Sequence, residues 1–242
     1  MQLNFPKGTP DTTTEGIMEK LIERGWGGYC YESNNLLAKA LKTLGFEVYS
    51  VGARNVDEKS AEFALQCGTH EIVLARVLGS AVWYVVDAAW GSGTPHKPIA
   101  VREWRDEESS GSSHRIRRGF VDSVSVPTEK DLATRPERCG WYMQKYSRTK
   151  QKWQDLYFLT ERADLQPDFI MMNFWISNHH SSIFREGLRI SIRNDCGGYG
   201  RTTMMNNHLK VYDMEGQLIE DRVIESVPDF EEALRVHFCI VH

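Results

Sequence analysis

The sequence predicts an α+β fold, and three observations carry that prediction. Helical periodicity is concentrated in residues 13–45 and in two short stretches near the end, β-type runs fill the middle, and no internal repeat relates the parts. Helices and strands grouped in this way read as α+β.

Taken in order, residues 13–45 read as helical. Ile17, Met18, Leu21 and Ile22 outline one apolar face. Gly27 and Gly28 allow a sharp bend. Beyond it Leu36, Leu37, Ala40, Leu41 and Leu44 recur at helical spacing until Gly45 supplies a stop. From about 46 to 162 the signal is mostly β. It comprises Val48–Val51, Ile72–Val77, Val82–Val86, Phe120–Val126 and Trp153–Leu159, and the second and third runs pair as neighbours around a turn at Gly79–Ser80. Arg105–Ser113 is an acidic, Ser-rich loop followed by Arg115, Arg117 and Arg118, best read as solvated charge rather than a phosphate site. From about 163 a short helix near Pro167–Met172 leads to further strands and a last helix around Phe230–Val236. Asp195–Gly200 is glycine-rich but lacks a following Lys-Ser/Thr, so a hairpin turn is expected there.

Composition narrows the class. A chain of 242 residues with 41% hydrophobic and 26% charged residues can bury a sizeable core. A net charge of −4 argues against a nucleic-acid surface, which needs a basic face. Five cysteines at irregular spacing read as free thiols in a reducing compartment. The first residues, with Pro6, Lys7 and Pro10, have no apolar signal core, and the most apolar stretch, Ala81–Trp90, is too short to span a bilayer. The expectation is a cytoplasmic protein with neither membrane nor nucleic-acid partners.

The chemistry lies in three residues. Cys30 precedes the periodic segment that follows Gly27–Gly28, so it stands at or near a helix N-terminus, where free amides favour a thiolate. His70 opens one β run and Asp87 ends the next. An imidazole that takes a thiol proton makes a strong nucleophile, and a carboxylate fixes the imidazole's tautomer. Singly, each residue is more often ordinary: a core cysteine, a satisfied core histidine, an aspartate in a turn. Together they outline a cysteine-protease-like triad. Cys67 has no glycine turn or helix start of its own and reads as packing or pocket wall. His179 and His180, taken as adjacent strand residues, point to opposite faces, and no metal is expected.

The flanks of these residues resemble one family. Arg24 through Asn34 is similar to the Arg-x-Gly-Gly-x-Cys-x-Glu-x-Asn motif of the arylamine N-acetyltransferases. Thr69-His70 resembles the family's Thr-His opening a strand. Val86-Asp87-Ala88-Ala89-Trp90-Gly91 resembles its Val-Asp-Val-Gly-Phe-Gly, and Pro95–Ile99 its proline-rich turn. Asn173–Phe184 is similar to its aromatic, Ser/Thr-rich segment, and Phe230–Ile240 to its closing helix and strand. Trp26 departs from a position that is often basic, and Ala88-Ala89 from a Val-Gly pair.

The resemblance implies a shortened N-terminal helical lobe at 1–45 carrying the nucleophile, a central β-barrel at 46–162 carrying His70 and Asp87, and a C-terminal α/β lid at 163–242. It implies transfer of an acetyl or related acyl group from acetyl-CoA or another acyl-CoA, through a Cys30 thioester, to an arylamine or hydrazine, as in xenobiotic metabolism. Thr69, Trp175 and Ser181 would contact coenzyme or substrate. A thiol hydrolase resembling papain or transglutaminase, or a shortened inactive homologue, is the alternative. Family members have further helical turns ahead of Phe5-Pro6. Without them the face carrying Ile17, Leu21, Leu36 and Leu41 is expected to lose cover, giving a less stable monomer or weak dimer.

Overall fold

The computed structural model describes residues 8–56, 65–102, 114–121, 127–147, 150–193 and 200–240. They form an α+β chain that divides into two compact units, Tyr29–Asn173 and the pairing of Met1–Gly28 with Phe174–His242.

The larger unit is built on one antiparallel sheet. Its strands are β1 (Glu47–Val56), β2 (Leu65–Arg76), β3 (Tyr84–Val86), β4 (Ile99–Ala100), β5 (His114–Phe120), β6 (Cys139–Ser147) and β7 (Lys152–Leu159), in the order β4-β3-β2-β1-β7-β6-β5. The end strands β4 and β5 approach each other, which nearly closes the sheet into a barrel. Period-two alternation turns Val51, Ala53, Ile72, Leu74, Val85, Ile116, Trp141, Met143, Tyr157 and Leu159 into one buried core. Each Val, Leu, Ile or Met among them contributes roughly 1.5–3 kcal/mol of burial.

Helix α1 (Thr14–Ile17) belongs to the smaller unit, and α2 (Cys30–Thr43) opens the larger. Helix α2 lies on the outer face of β1 and β2, where Ala38 meets Val73 and Ala75, with Leu41, Val48 and Val86 at the margin. It ends at Thr43, and Gly45 takes φ +87°, a left-handed conformation suited to glycine. The β2–β3 connection turns at Gly79, φ +82°, where the Ser80 amide donates to Val77. The short helix α3 (Glu129–Thr134) starts at a Thr128 cap.

The smaller unit holds β8 (Arg189–Ile192), β9 (Arg201–Met205), β10 (His208–Tyr212) and β11 (Leu218–Val223) in the order β11-β10-β9-β8. Helix α6 (Val227–Phe238) covers one face, placing Phe230, Ala233, Leu234 and Phe238 against Met204, Leu209 and Val211. The α4 helix (Gln166–Asn178) crosses the division between units, and the single-turn α5 (Ile183–Glu186) follows it.

Several expectations from sequence need correction. The predicted first helix is two short pieces, α1 followed by a π-helical turn at Met18–Glu23. Ile17 is buried there, while Met18 and Ile22 are exposed. Leu21 is half-buried, as are Leu36 and Leu41 on α2. His70 sits in the middle of β2 rather than opening it, because pairing with β1 carries the strand back to Leu65. Arg115, Arg117 and Arg118 lie on β5, their guanidinium groups stacked over Trp153, Tyr142 and Trp141 at 4.2 Å each. His179 and His180 follow the α4 helix instead of lying on a strand. Cys67 is exposed and therefore not packing. After α6, Cys239 turns left-handed and the Ile240 amide returns to Leu234, so no closing strand follows among the described residues. The loop at Arg105–Ser113, residues 122–126 of the Phe120–Val126 run, and residues 195–199 of the expected hairpin lie outside the described residues.

Candidate active site

Cys30 is the first residue of α2 and is 4% exposed. The turn ahead of it is fixed by the Tyr29 amide, which donates to Glu32 Oε2 at 3.1 Å, half of a capping box. The thiol points at the free edge of β2, where Sγ lies 3.9 Å from the Thr69 carbonyl. The next residue on that strand is His70.

His70 turns inward from β2 and donates from Nε2 to Asp87 Oδ2 at 2.8 Å, leaving Nδ1 to bond the Cys30 thiol. Asp87 follows the last residue of β3, which is hydrogen-bonded alongside β2, so strand pairing brings the two side chains together. The Asp87 carboxylate is fully enclosed by donors. Tyr157 OH reaches Oδ2 at 3.1 Å, while Asn34 Nδ2 and the Ala89 amide reach Oδ1 at 3.0 and 2.9 Å. Asn34 is a hub. Its Nδ2 also donates to the Glu71 carbonyl at 2.6 Å, and its Oδ1 accepts from the Ala88 amide at 2.8 Å. It stands four residues after Cys30, on the same helix face, so α2 reaches the site twice.

Aromatic rings wall this network. His70 packs edge-on to Trp90 at 4.7 Å and against Tyr157 at 5.3 Å, and these two rings lie 4.8 Å apart. Gly93 is required here, since a Cβ at that position would collide with the Trp90 ring.

Electrostatics follow from burial and pairing. Burial alone would push the His70 imidazole down. The Asp87 charge and hydrogen bond, with a smaller push from Cys30, outweigh it and raise the group to about 10. Burial likewise opposes the Asp87 charge. The His70 cation and the hydrogen bonds from His70, Asn34 and the Ala89 amide win, holding the carboxyl below its usual range. Burial and the nearby Asp87 charge push the Tyr157 phenol well above its normal value.

The structure thus gathers Cys30, His70, Asp87 and Thr69 in one place. Trp175 and Ser181 lie in the other unit and share one cluster there. Trp175 stacks on His179 at 4.7 Å and 12°, and His179 Nδ1 bonds Ser181 Oγ at 2.8 Å. Sequence reasoning missed Tyr157 and Trp90 as supports. Nothing local marks Tyr157, whose place comes from the β1–β7 pairing. Among the described residues no group of three or more His, Cys, Asp or Glu could hold a metal ion, and no helix is long and apolar enough to cross a membrane.

The sequence pattern of the N-acetyltransferase family matches residues 7–241. The chain belongs to the arylamine N-acetyltransferase family. The arylamine N-acetyltransferase of Mycolicibacterium smegmatis is 27% identical over 189 residues, which are 78% of this chain and 62% of that relative. The chain therefore spans less than two thirds of that relative's length. The solved M. smegmatis arylamine N-acetyltransferase superposes with a TM-score of 0.78 at 25% identity, covering 96% of this chain and 76% of that one. The Mycobacterium marinum arylamine N-acetyltransferase in complex with CoA gives 0.74 at 24% identity, covering 96% and 76%.

Proposed function

We propose that this chain transfers an acetyl or related acyl group from acyl-CoA to the nitrogen of an arylamine or hydrazine, through a thioester on Cys30. The observation that carries the reading is the buried Cys30–His70–Asp87 arrangement at the start of α2. Family membership supports it, and CoA in the M. marinum neighbour supports the class of donor.

In the first half-reaction the Cys30 sulfur, its proton held by His70, attacks the acyl carbonyl. The new C–S bond forms as the C–S bond to coenzyme A breaks, and the departing thiolate takes the proton from His70. In the second half the amine attacks the Cys30 thioester and loses a proton to His70 Nδ1. The N-acyl product leaves, and the sulfur and imidazolium return to their starting state. Asp87 keeps Nε2 protonated throughout, so Nδ1 is the nitrogen that works.

The proposed coenzyme or substrate contacts are Thr69 in the larger unit and Trp175 and Ser181 in the smaller. The Ser181 hydroxyl is bonded to His179 and a Trp175 face is covered by the same ring. A ligand that stacks on that same Trp175 face must displace the His179 ring.

Rapid mixing with acetyl-CoA in the absence of amine tests the proposal. The expected result is a burst of free coenzyme A stoichiometric with the chain, followed by slow turnover that an arylamine accelerates. No burst, together with cleavage of a peptide amide, would favour a thiol hydrolase.

A further inference from the structure

His70 and Glu71 are successive residues of β2 and project to opposite faces of the sheet. His70 enters the barrel, and Glu71 lies beneath α2, only 3% exposed. A carboxyl this buried is unusual without a full set of donors or a metal. Its surroundings are partial. The Ser50 hydroxyl of β1 donates to it, and the Lys39 ammonium of α2 supplies the nearby positive charge. Tyr31 of α2, 1% exposed, feels the Glu71 charge, and its hydroxyl has no hydrogen-bond partner among the described residues. Asp164 comes close to Gly52, which lies opposite Glu71 in the β1–β2 register, but its Oδ2 is taken by the Gly52 amide at 2.6 Å. Asn34 ties the Glu71 carbonyl to the Asp87 carboxylate.

We infer that Glu71 is a positioning residue that acts through His70: as an anion it is a second negative partner for the imidazolium, from the far side of the strand. The inference rests on the proposed Cys30–His70 pairing. When Glu71 is ionised, its field adds to that of Asp87 and favours the imidazolium beside the sulfur. When it is protonated, that support is withdrawn and Asp87 acts alone. Burial pushes the carboxyl up to about 7, against the opposing pulls of Ser50, His70 and Lys39, so the change falls within the neutral range. Glu71 touches no reacting atom.

The test is the pH dependence of Cys30 alkylation by iodoacetamide, followed by peptide mass spectrometry from about pH 5 to about pH 9. It needs no acyl donor, so it separates this inference from the acyl-transfer reading. The wild-type rate is expected to rise through a step near neutrality. Glu71→Gln should lose that step while melting like the wild type at about pH 5, where the wild-type carboxyl is protonated, and Glu71→Asp should retain one. A Gln variant whose profile keeps the step, or is merely scaled by one factor at every pH, overturns the inference. Should the Gln variant not fold, Lys39→Met serves instead: removing the cation is expected to move the step to higher pH, and an unmoved step overturns the inference. A neutral step that depends on Glu71 in a chain that never acylates would leave the inference standing and defeat acyl transfer. A Cys30 that reacts no faster than exposed Cys67 would defeat both.

Discussion

The two units bury polar groups in different ways. In the larger one Glu32, Asn34, Asn35, Thr69, His70, Glu71, Asp87, His114, Gln144 and Asn173 are all buried, whereas in the smaller one only Ser182 and Thr202 are, among the described residues. The smaller unit keeps its charges at the surface, where Arg222 holds Glu220 and Asp229, and Lys210 holds Asp221, on side chains about a third exposed. Its apolar sheet-and-helix core reads as scaffold. A buried polar residue costs stability unless its partners are supplied, so a concentration of them marks chemistry rather than packing. The larger unit carries that cost around Cys30.

The largest expected effect that would sharpen this contrast is on activity. His70→Ala should reduce acyl transfer on the order of a thousandfold or more and should also lower the melting temperature, because the buried Asp87 carboxylate loses its cationic partner. Asp87→Asn should lose activity to a similar degree. It should also lose about 2–4 kcal/mol of stability, since its amide would face donors now satisfied by a carboxylate. Steady-state kinetics and denaturant unfolding would check both. An Asp87→Asn enzyme with near wild-type turnover would remove the larger unit's special standing.

Core truncation should next treat the two units alike in energy but not in consequence. Leu74→Ala and Leu209→Ala, both fully buried, should each cost about 2–5 kcal/mol by urea unfolding. Leu74 shares β2 with His70, so only the first should also slow Cys30 alkylation under native conditions. Equal slowing by both would break the comparison.

The pH dependence of stability follows from the larger unit's network. His70, raised from 6.5 to about 10, contributes stability that is complete below 6.5 and lost as pH rises through about 10. Asp87, lowered from 3.8, contributes stability that is complete above 3.8 and lost as pH falls through its depressed value. Glu71, raised from 4.5 to about 7, adds a loss between those two values as pH rises. Melting temperature should therefore be highest in mildly acidic solution and decline towards alkaline pH, and Glu71→Gln should flatten the part below about 7. The smallest effect belongs to the smaller unit. Ser226→Ala, which removes the α6 cap on the Asp229 amide, should cost about 1 kcal/mol and leave activity unchanged.

Much of the site was legible in the sequence because local signals mark it. The periodic segment after Gly27-Gly28 places Cys30 at a helix start, although the left-handed glycine ahead of it is Gly25 (φ +62°) and not the Gly-Gly pair, and the end of an apolar run places Asp87 at a strand end. Other features depend on pairing rather than pattern. Tyr157 reaches Asp87 only because β7 pairs with β1, seventy residues beyond the aspartate in sequence. The α4 helix was underestimated for a different reason. From Phe169 to Ile176 its residues are apolar almost without interruption, so no period distinguishes helix from strand. That misreading put His179 and His180 on a strand. The Glu71 carboxyl was invisible because a polar residue in a half-buried strand normally signals the solvent face, and here α2 covers it.

The central claim is that Cys30, served by His70 and Asp87, accepts the acyl group. Incubation with acetyl-CoA without amine, followed by quenching, proteolysis and peptide mass spectrometry, tests it most directly. The account predicts one acetyl group on the Cys30 peptide, none on the peptides of Cys67, Cys139 or Cys239, discharge on addition of an arylamine, and no labelling in Cys30→Ala or His70→Ala. Acetylation spread over the other cysteines, or a Cys30 that stays unmodified while an arylamine is still acetylated, would contradict it.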